Sequence, residues 1–205
     1  MVSKITVERH GFYPKGGGLI TQYTRPVTMI QPMKLDEPEI KKIHGVSLCG
    51  ALPEHVATRQ ADSAKKKLNS LRIKTDIKPV VAEPKPLSPG SLVCLWAEGT
   101  DVYMGADSLG ARGKPSEVVG GEAAIKMIEE VRSVGNVDRH TADHLILPMS
   151  LADGVSEFRT SHLTLHTLTA IEIAKLFTGA GFNIRGSEGE PGVITVHGIG
   201  LENRG

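Results

Sequence analysis

The chain has 205 residues, with 24 Lys+Arg against 23 Asp+Glu and a formal charge of +1. That excludes a chain basic throughout. A composition of 40% hydrophobic and 23% charged residues excludes disorder, yet leaves room for a local basic face. Aromatic residues make up 4%, which argues against an aromatic-rich base-stacking platform, and Cys49 and Cys94 do not make a disulfide framework.

No apolar run approaches the ~20 residues of a membrane span. Met1 to Arg9 alternates as a strand does, so neither a signal peptide nor a membrane partner is expected. A reduced, cytoplasmic compartment is the expectation. The 23 Gly and 12 Pro predict many short elements joined by tight turns.

In chain order, Ile5 to Arg9 and Leu19 to Thr24 read as strands. The turn-rich His10-Gly-Phe-Tyr-Pro-Lys-Gly-Gly-Gly18 joins them into a hairpin. Pro26 to Glu39, with Pro26, Pro32 and Pro38, reads as a crossing between domains. A second unit begins near Ile40. Lys42 to Cys49 is its first strand. Pro53 to Leu71 is an amphipathic helix with Val56, Ala61, Ala64 and Leu68 near one face. Lys65, Lys66 and Lys67 sit in its last turns, where the helix dipole favours cations.

Lys74 to Val81 and Ser91 to Trp96 read as strands, the run from Leu92 to Trp96 as buried. Thr100 to Met104 is a further strand candidate, and Asp107 to Lys114 a Gly-rich turn. Ser116 to Val134 is a second helix, with Val118, Ala124, Ile125, Ile128 and Val131 as its apolar residues. The β-α-β-β-α order predicts one small α+β domain.

Another unit then resumes. Asp138 to Ala152 is helical in pattern, with a kink or stop expected at Pro148, because proline offers no N–H to the carbonyl of His144. Glu157 to Leu165 alternates as a strand. Thr169 to Phe177 is a short helix, opened by the capping box Thr169-Ala-Ile-Glu172 and ended by Gly179 and Gly181. Phe182 to Arg185 and Gly192 to His197 form a closing strand pair.

Four of the eight histidines fall in this last unit: His140, His144, His162 and His166. His140 and His144 share a helical face that Asp143 borders. His162 and His166 would share one side of a strand. Spacing alone leaves three readings open: polar residues at element ends, a zinc site, or an imidazole nucleophile toward phosphorus. Position points to phosphorus at His166, which lies where a helix begins and where unpaired N–H groups suit a phosphate. Lys15-Gly-Gly-Gly18 lacks the Ser or Thr of a Walker motif and reads as a hairpin turn, and Lys65 to Lys67 as a solvated helix end. Arg159 reads equally as an anion contact or a surface residue.

Three segments, Arg9-His-Gly-Phe-Tyr-Pro-Lys-Gly-Gly-Gly18, Ala142-Asp-His-Leu-Ile-Leu-Pro-Met149 and Thr164-Leu-His-Thr-Leu-Thr169, occur in this order. Together they resemble the C-terminal part of RNA 3′-terminal phosphate cyclases, and the similarity runs through essentially the whole chain. The resemblance implies an α/β (α+β) fold: part of a large domain of repeated βαβαββ units, with a smaller inserted α+β domain. Residues 1–35 and 135–205 would belong to the large domain and residues 36–134 to the insert.

The resemblance further implies ATP and Mg2+ as cofactors and an RNA 3′-phosphate as substrate. It implies a histidine–AMP intermediate at His166, followed by closure to a 2′,3′-cyclic phosphate. Its nucleotide-contacting segment falls on His140, Thr141, Ala142, Asp143 and His144. The family usually has an aromatic residue where His140 stands, Gln where His144 stands, and Asn where Ala170 stands. Its N-terminal half, with an acidic Gly-rich strand and arginines, has no counterpart before Ile5. A partner half or a homo-oligomer is therefore expected. A non-catalytic cyclase-like protein of ribosome assembly and a zinc hydrolase on His140, His144 and His162 are the alternatives.

Overall fold

The computed structural model describes residues 2–203. It is a mixed α/β structure with two hydrophobic cores. An antiparallel ribbon comes first: β1 (Val2–Arg9) pairs with β2 (Leu19–Arg25). Gly16 and Gly17, both at positive φ, turn the connection, and Arg9 Nε donates to the Gly17 carbonyl at 2.5 Å. The loop folds onto the next unit, where Leu87 lies against Gly17 and the Lys15 amide donates to Ser88 Oγ.

That unit is built from β3 (Glu39–Gly50), α1 (His55–Leu68), β4 (Lys74–Val81), β5 (Gly90–Thr100), β6 (Gly105–Leu109) and α2 (Ser116–Arg132). Its sheet has the order β4-β3-β5-β6; β3 and β4 are parallel across α1, and the other pairs are antiparallel. Both helices pack on one face, around Ile43, Ile77, Val93, Leu95, Leu68 and Met127.

β6 falls where a turn was expected, and no separate strand covers Thr100 to Met104. β5 runs on to Thr100 and reverses at Asp101, whose φ is +52°. The residues of β6 are poor strand formers in isolation, and pairing with β5 holds them extended. Leu92 to Trp96 is not buried throughout: Val93 and Leu95 face the core, whereas Cys94 and Trp96 face outward. Helices cover only one side of this sheet, so the strand alternates.

The helix faces also differ from expectation. In α1 the buried residues are Ala57, Gln60, Ala61, Ala64 and Leu68, with Val56 half-buried. Gln60 is tolerated inside because Ser47 Oγ donates to its Oε1 and its Nε2 donates to Ser91 Oγ. In α2, Val118 and Ile125 point outward, and Val119, Gly120, Ala123, Ala124 and Met127 point in. A Cβ at Gly120 would stand 2.0 Å from the Gln60 carbonyl oxygen, so α1 and α2 touch there backbone to backbone. Gly120→Val should therefore push the helices apart and cost about 1–3 kcal/mol. Equilibrium denaturant unfolding measures this; an unchanged midpoint would refute the close contact.

The remaining unit contains α3 (Arg139–Leu151), β7 (Val155–Thr160), α4 (Leu165–Thr178), β8 (Gly181–Arg185) and β9 (Gly192–His197). Its antiparallel sheet has the order β7-β9-β8, with α3 and α4 closing a core around Phe158, Ile146, Leu163, Ile171 and Ile194. The proline-rich segment before β3 runs along β7: the Leu35 amide donates to the Glu157 carbonyl, and the Glu157 amide to the Met33 carbonyl. Single parallel bridges from Val137 to Tyr103 and to Thr160 link this unit to the preceding one.

Three boundaries depart from expectation. α3 continues through Pro148 to Leu151, because burial of Met149 and Ser150 holds the last turn. β7 ends at Thr160 rather than Leu165, and His162 and Leu163 pass through a connecting segment. α4 starts four residues before Thr169. Thr164 is its N-cap, accepting from the Thr167 amide, and Thr169 lies inside the helix, where its hydroxyl donates to the Leu165 carbonyl. The Thr-x-x-Glu pattern is thus not a capping box here. Among the described residues no helix is long and apolar enough to cross a membrane.

Candidate active site at the start of two helices

α3 is capped by Asp138. Its Oδ1 accepts from the amides of His140 and Thr141, both at 2.8 Å. Its Oδ2 accepts from the Thr141 hydroxyl at 2.7 Å and from the Gly105 amide at 3.0 Å. The buried carboxylate therefore also fastens α3 to β6. The sequence reading placed Asp138 inside the helix and missed this role; an Asp ahead of a helical run was the available signal. Asp138→Ala should cost about 1–2 kcal/mol, and Asp138→Asn should recover part of it, because one oxygen can still accept from the His140 and Thr141 amides while the NH2 group cannot accept from Gly105. Denaturant midpoints of the two variants test this; equal losses would show that the cap is not what Asp138 contributes.

One turn further on, α3 presents Asp143 toward α4. Its side chain is 11% exposed, and Oδ2 pairs with Nδ1 of His166. The His166 side chain is 83% exposed. His144 lies beside them, its Nε2 3.8 Å from Asp143 Oδ1, an oxygen that is buried and accepts no hydrogen bond. His166 is the second residue of α4, not the residue before it. Thr164 Oγ1 takes the Thr167 amide, so the amides of Leu165 and His166 point out of the first turn for other acceptors. An exposed imidazole beside these amides and the positive end of the helix is a place for a phosphate.

The structure thus brings Asp143, His144 and His166 together. Ala142 is buried in the core beneath them, and Thr141 is committed to Asp138. His140 is exposed in the first turn of α3, and among the described residues no hydrogen bond or ion pair joins it to His166. His162 stands apart from the strand register expected for it, half-buried, with Nδ1 buried and unpartnered. Arg159 Nη1 donates to Glu37 Oε1 at 2.7 Å, so that cation is spent on an ion pair. Among the described residues no three His, Cys, Asp or Glu side chains converge as metal ligands, which removes the basis for a zinc site on His140, His144 and His162. Nor, among the described residues, is there a cluster of carboxylates to hold Mg2+.

The chemistry available is that of an oriented imidazole. A carboxylate accepting from Nδ1–H leaves the lone pair on Nε2, the nitrogen facing away from Asp143. Such a ring serves as a nucleophile or a base toward an electrophile held at the α4 terminus.

Comparison with known proteins concerns the family of the whole chain. Residues 35–132 match the family model described as the RNA 3′-terminal phosphate cyclase insert domain. Over 97% of its length the chain is 41% identical to an RNA 3′-terminal phosphate cyclase of Staphylothermus marinus, of which it covers 58%. A protein of the same name from Pyrococcus abyssi is 38% identical over 96% of the chain, with 56% of the relative covered. One from Methanothermobacter thermautotrophicus is 40% identical over 95% of the chain, again with 56% covered. The chain spans somewhat more than half the length of these relatives. The chain thus carries a match to the RNA 3′-terminal phosphate cyclase insert domain, and its similarity to proteins of that name runs end to end around it.

Proposed function

We propose that the chain is the C-terminal part of an ATP-dependent RNA 3′-phosphate cyclase, a ligase working in the cytoplasm, where free Cys49 and Cys94 stay reduced. In this reading residues 1–35 and 135–205 are large-domain portions and 36–134 the insert. The pairing of Asp143 with Nδ1 of the exposed His166 carries the proposal.

Nε2 of His166 attacks the α-phosphorus of ATP, and pyrophosphate leaves as the N–P bond forms. An oxygen of the RNA 3′-phosphate then attacks the same phosphorus, taking the adenylyl group and freeing His166. The terminal 2′-hydroxyl, losing its proton, attacks the 3′-phosphorus; AMP leaves and the 2′,3′-cyclic phosphate closes. Asp143 holds the imidazole tautomer and balances the charge that builds on the ring. Exposed His140 and His144 offer planar rings and N–H donors to the nucleotide. The α4 amides face its phosphate.

The remaining length of the relatives is proposed to dock on two apolar faces. One is the β1–β2 ribbon, where Ile5, Val7, Leu19, Ile20 and Tyr23 are all exposed; two strands alone are marginal in water. The other is the outer side of α4, with Leu165, Ile173, Leu176 and Phe177 exposed. Among the described residues no Lys or Arg pairs with Asp143 or His166 to act as the charged clamp that transfer from a triphosphate needs, so the isolated chain should turn over poorly.

The test is incubation with ATP labelled at the α-phosphate and RNA ending in a 3′-phosphate, with and without an upstream half taken from a relative. A covalent label on the chain and cyclised RNA in the presence of that half are expected. No label under either condition would overturn the enzymatic reading, and full turnover by the monomeric chain alone would overturn the need for a second part.

A further inference from the structure

The sheet face opposite α1 and α2 is open, and its cross-strand rows can be read from the register. Asp76, His44, Trp96 and Gly105 lie side by side across all four strands, with Lys74, Lys42 and Glu98 in the adjoining row. His44 and Trp96 are stacked, with ring centroids 5.7 Å apart and planes at 15°. Glu98 pairs with His44 Nε2 and holds the imidazole in place. The indole is 42% exposed. On its other side stands Gly105, where an added Cβ would meet only the Leu95 carbonyl oxygen within 4 Å. One ring face of Trp96 is therefore covered by His44, and the other looks over a gap one side chain wide.

The strand that edges this face, β4, presents two cations, Lys74 and Lys78, with Asp76 between them on the same side. Asp76 is already neutralised: Lys42 donates to it at 3.0 Å and holds its carboxyl below the usual range. Neither Lys74 nor Lys78 enters an ion pair among the described residues. Lys74 and Lys78 are about 13 Å apart along β4, and Trp96 lies two strands away, about 10 Å. Cations at this spacing along an edge, with a stacking ring set inward from them, suit a backbone of phosphates whose bases reach across the sheet.

We propose that this face binds single-stranded polynucleotide, its phosphates along Lys74 and Lys78 of β4, and one base stacked on Trp96 over Gly105. Only the choice of RNA as the polynucleotide rests on the cyclase reading. The low aromatic content does not conflict with this, because the platform is two rings wide.

The chain holds one tryptophan, so its fluorescence reports on the site directly. A short oligoadenylate ending in a 3′-hydroxyl, which lacks the phosphate that would react, is titrated into the full chain without ATP. Quenching of Trp96 is expected, weakening with salt. Gly105→Val should fill the gap and abolish the quenching. With a labelled oligomer followed by anisotropy, Trp96→Ala should weaken binding about tenfold. The Lys74→Glu, Lys78→Glu double variant should weaken it and reduce the salt slope by about 1.4. Because the oligomer carries no 3′-phosphate and no ATP is present, this binding is read apart from the adenylylation chemistry. Binding without change in Trp96 emission, binding indifferent to the lysine pair, equal affinity for a blunt RNA duplex, or no binding would each overturn the proposal. Circular dichroism of each variant confirms that it is folded.

Discussion

His166→Asn is expected to eliminate the adenylylated protein, a loss of at least about three orders of magnitude in label incorporation, while the unfolding midpoint stays within about 0.5 kcal/mol of the parent. The structure gives both halves of that expectation. The ring is 83% exposed and packs into neither core, so its replacement removes little buried area. The amide of Asn is close in size but has no lone pair on nitrogen to form the bond to phosphorus.

Asp143→Asn is the companion experiment. It keeps the shape but can present an NH2 group to Nδ1, favouring the tautomer with its proton on the attacking nitrogen, and a loss of ~100-fold or more is expected. Label retained by His166→Asn would move the nucleophile elsewhere. Full activity of Asp143→Asn would show that the pairing does not orient the ring.

Phe158→Ala should produce the largest loss of stability, about 3–5 kcal/mol by calorimetry or denaturant titration. Phe158 is fully buried on β7, at the centre of the core under α3 and α4. Because Asp143 and His166 sit on those two helices, the cavity should also reduce adenylylation. The effect on activity should be indirect, partly reversed by lowering the temperature or by Phe158→Leu. A leucine at Leu95, in the other core, is a control: Leu95→Ala should destabilise by about 2–5 kcal/mol without loosening the Asp143–His166 pair. If Phe158→Ala leaves the midpoint unchanged, the packing described around β7 is wrong.

Local chemistry determined much of this protein directly. The strand pair β8–β9 follows from short runs bounded by Gly, β4 from its alternation of polar and apolar residues, and α1 and α2 from long periodic segments, so their existence was legible in sequence. The neighbourhood of Asp143, His144 and His166 was expected from the resemblance of three segments to the cyclase family and from the helix start near His166; spacing alone left the role of these histidines open.

Tertiary structure decided the rest. β6 is extended because β5 lies beside it, and propensity in Gly105-Ala-Asp-Ser-Leu109 says little. Which side of α2 faces inward depended on where Gly120 meets Gln60, a contact sixty residues away in the chain. α4 begins at Leu165 because Thr164, not Thr169, is free to cap it; both threonines offer the same hydroxyl, and only the fold selects between them. The alignment of Asp143 with Nδ1 of His166 likewise needs two helices packed against β7 and β9. The Trp96 platform depends on which face the helices leave bare. Spacing reports neighbours along one element, where geometry is periodic; contacts between elements depend on packing of the whole core, to which no short segment of sequence has access.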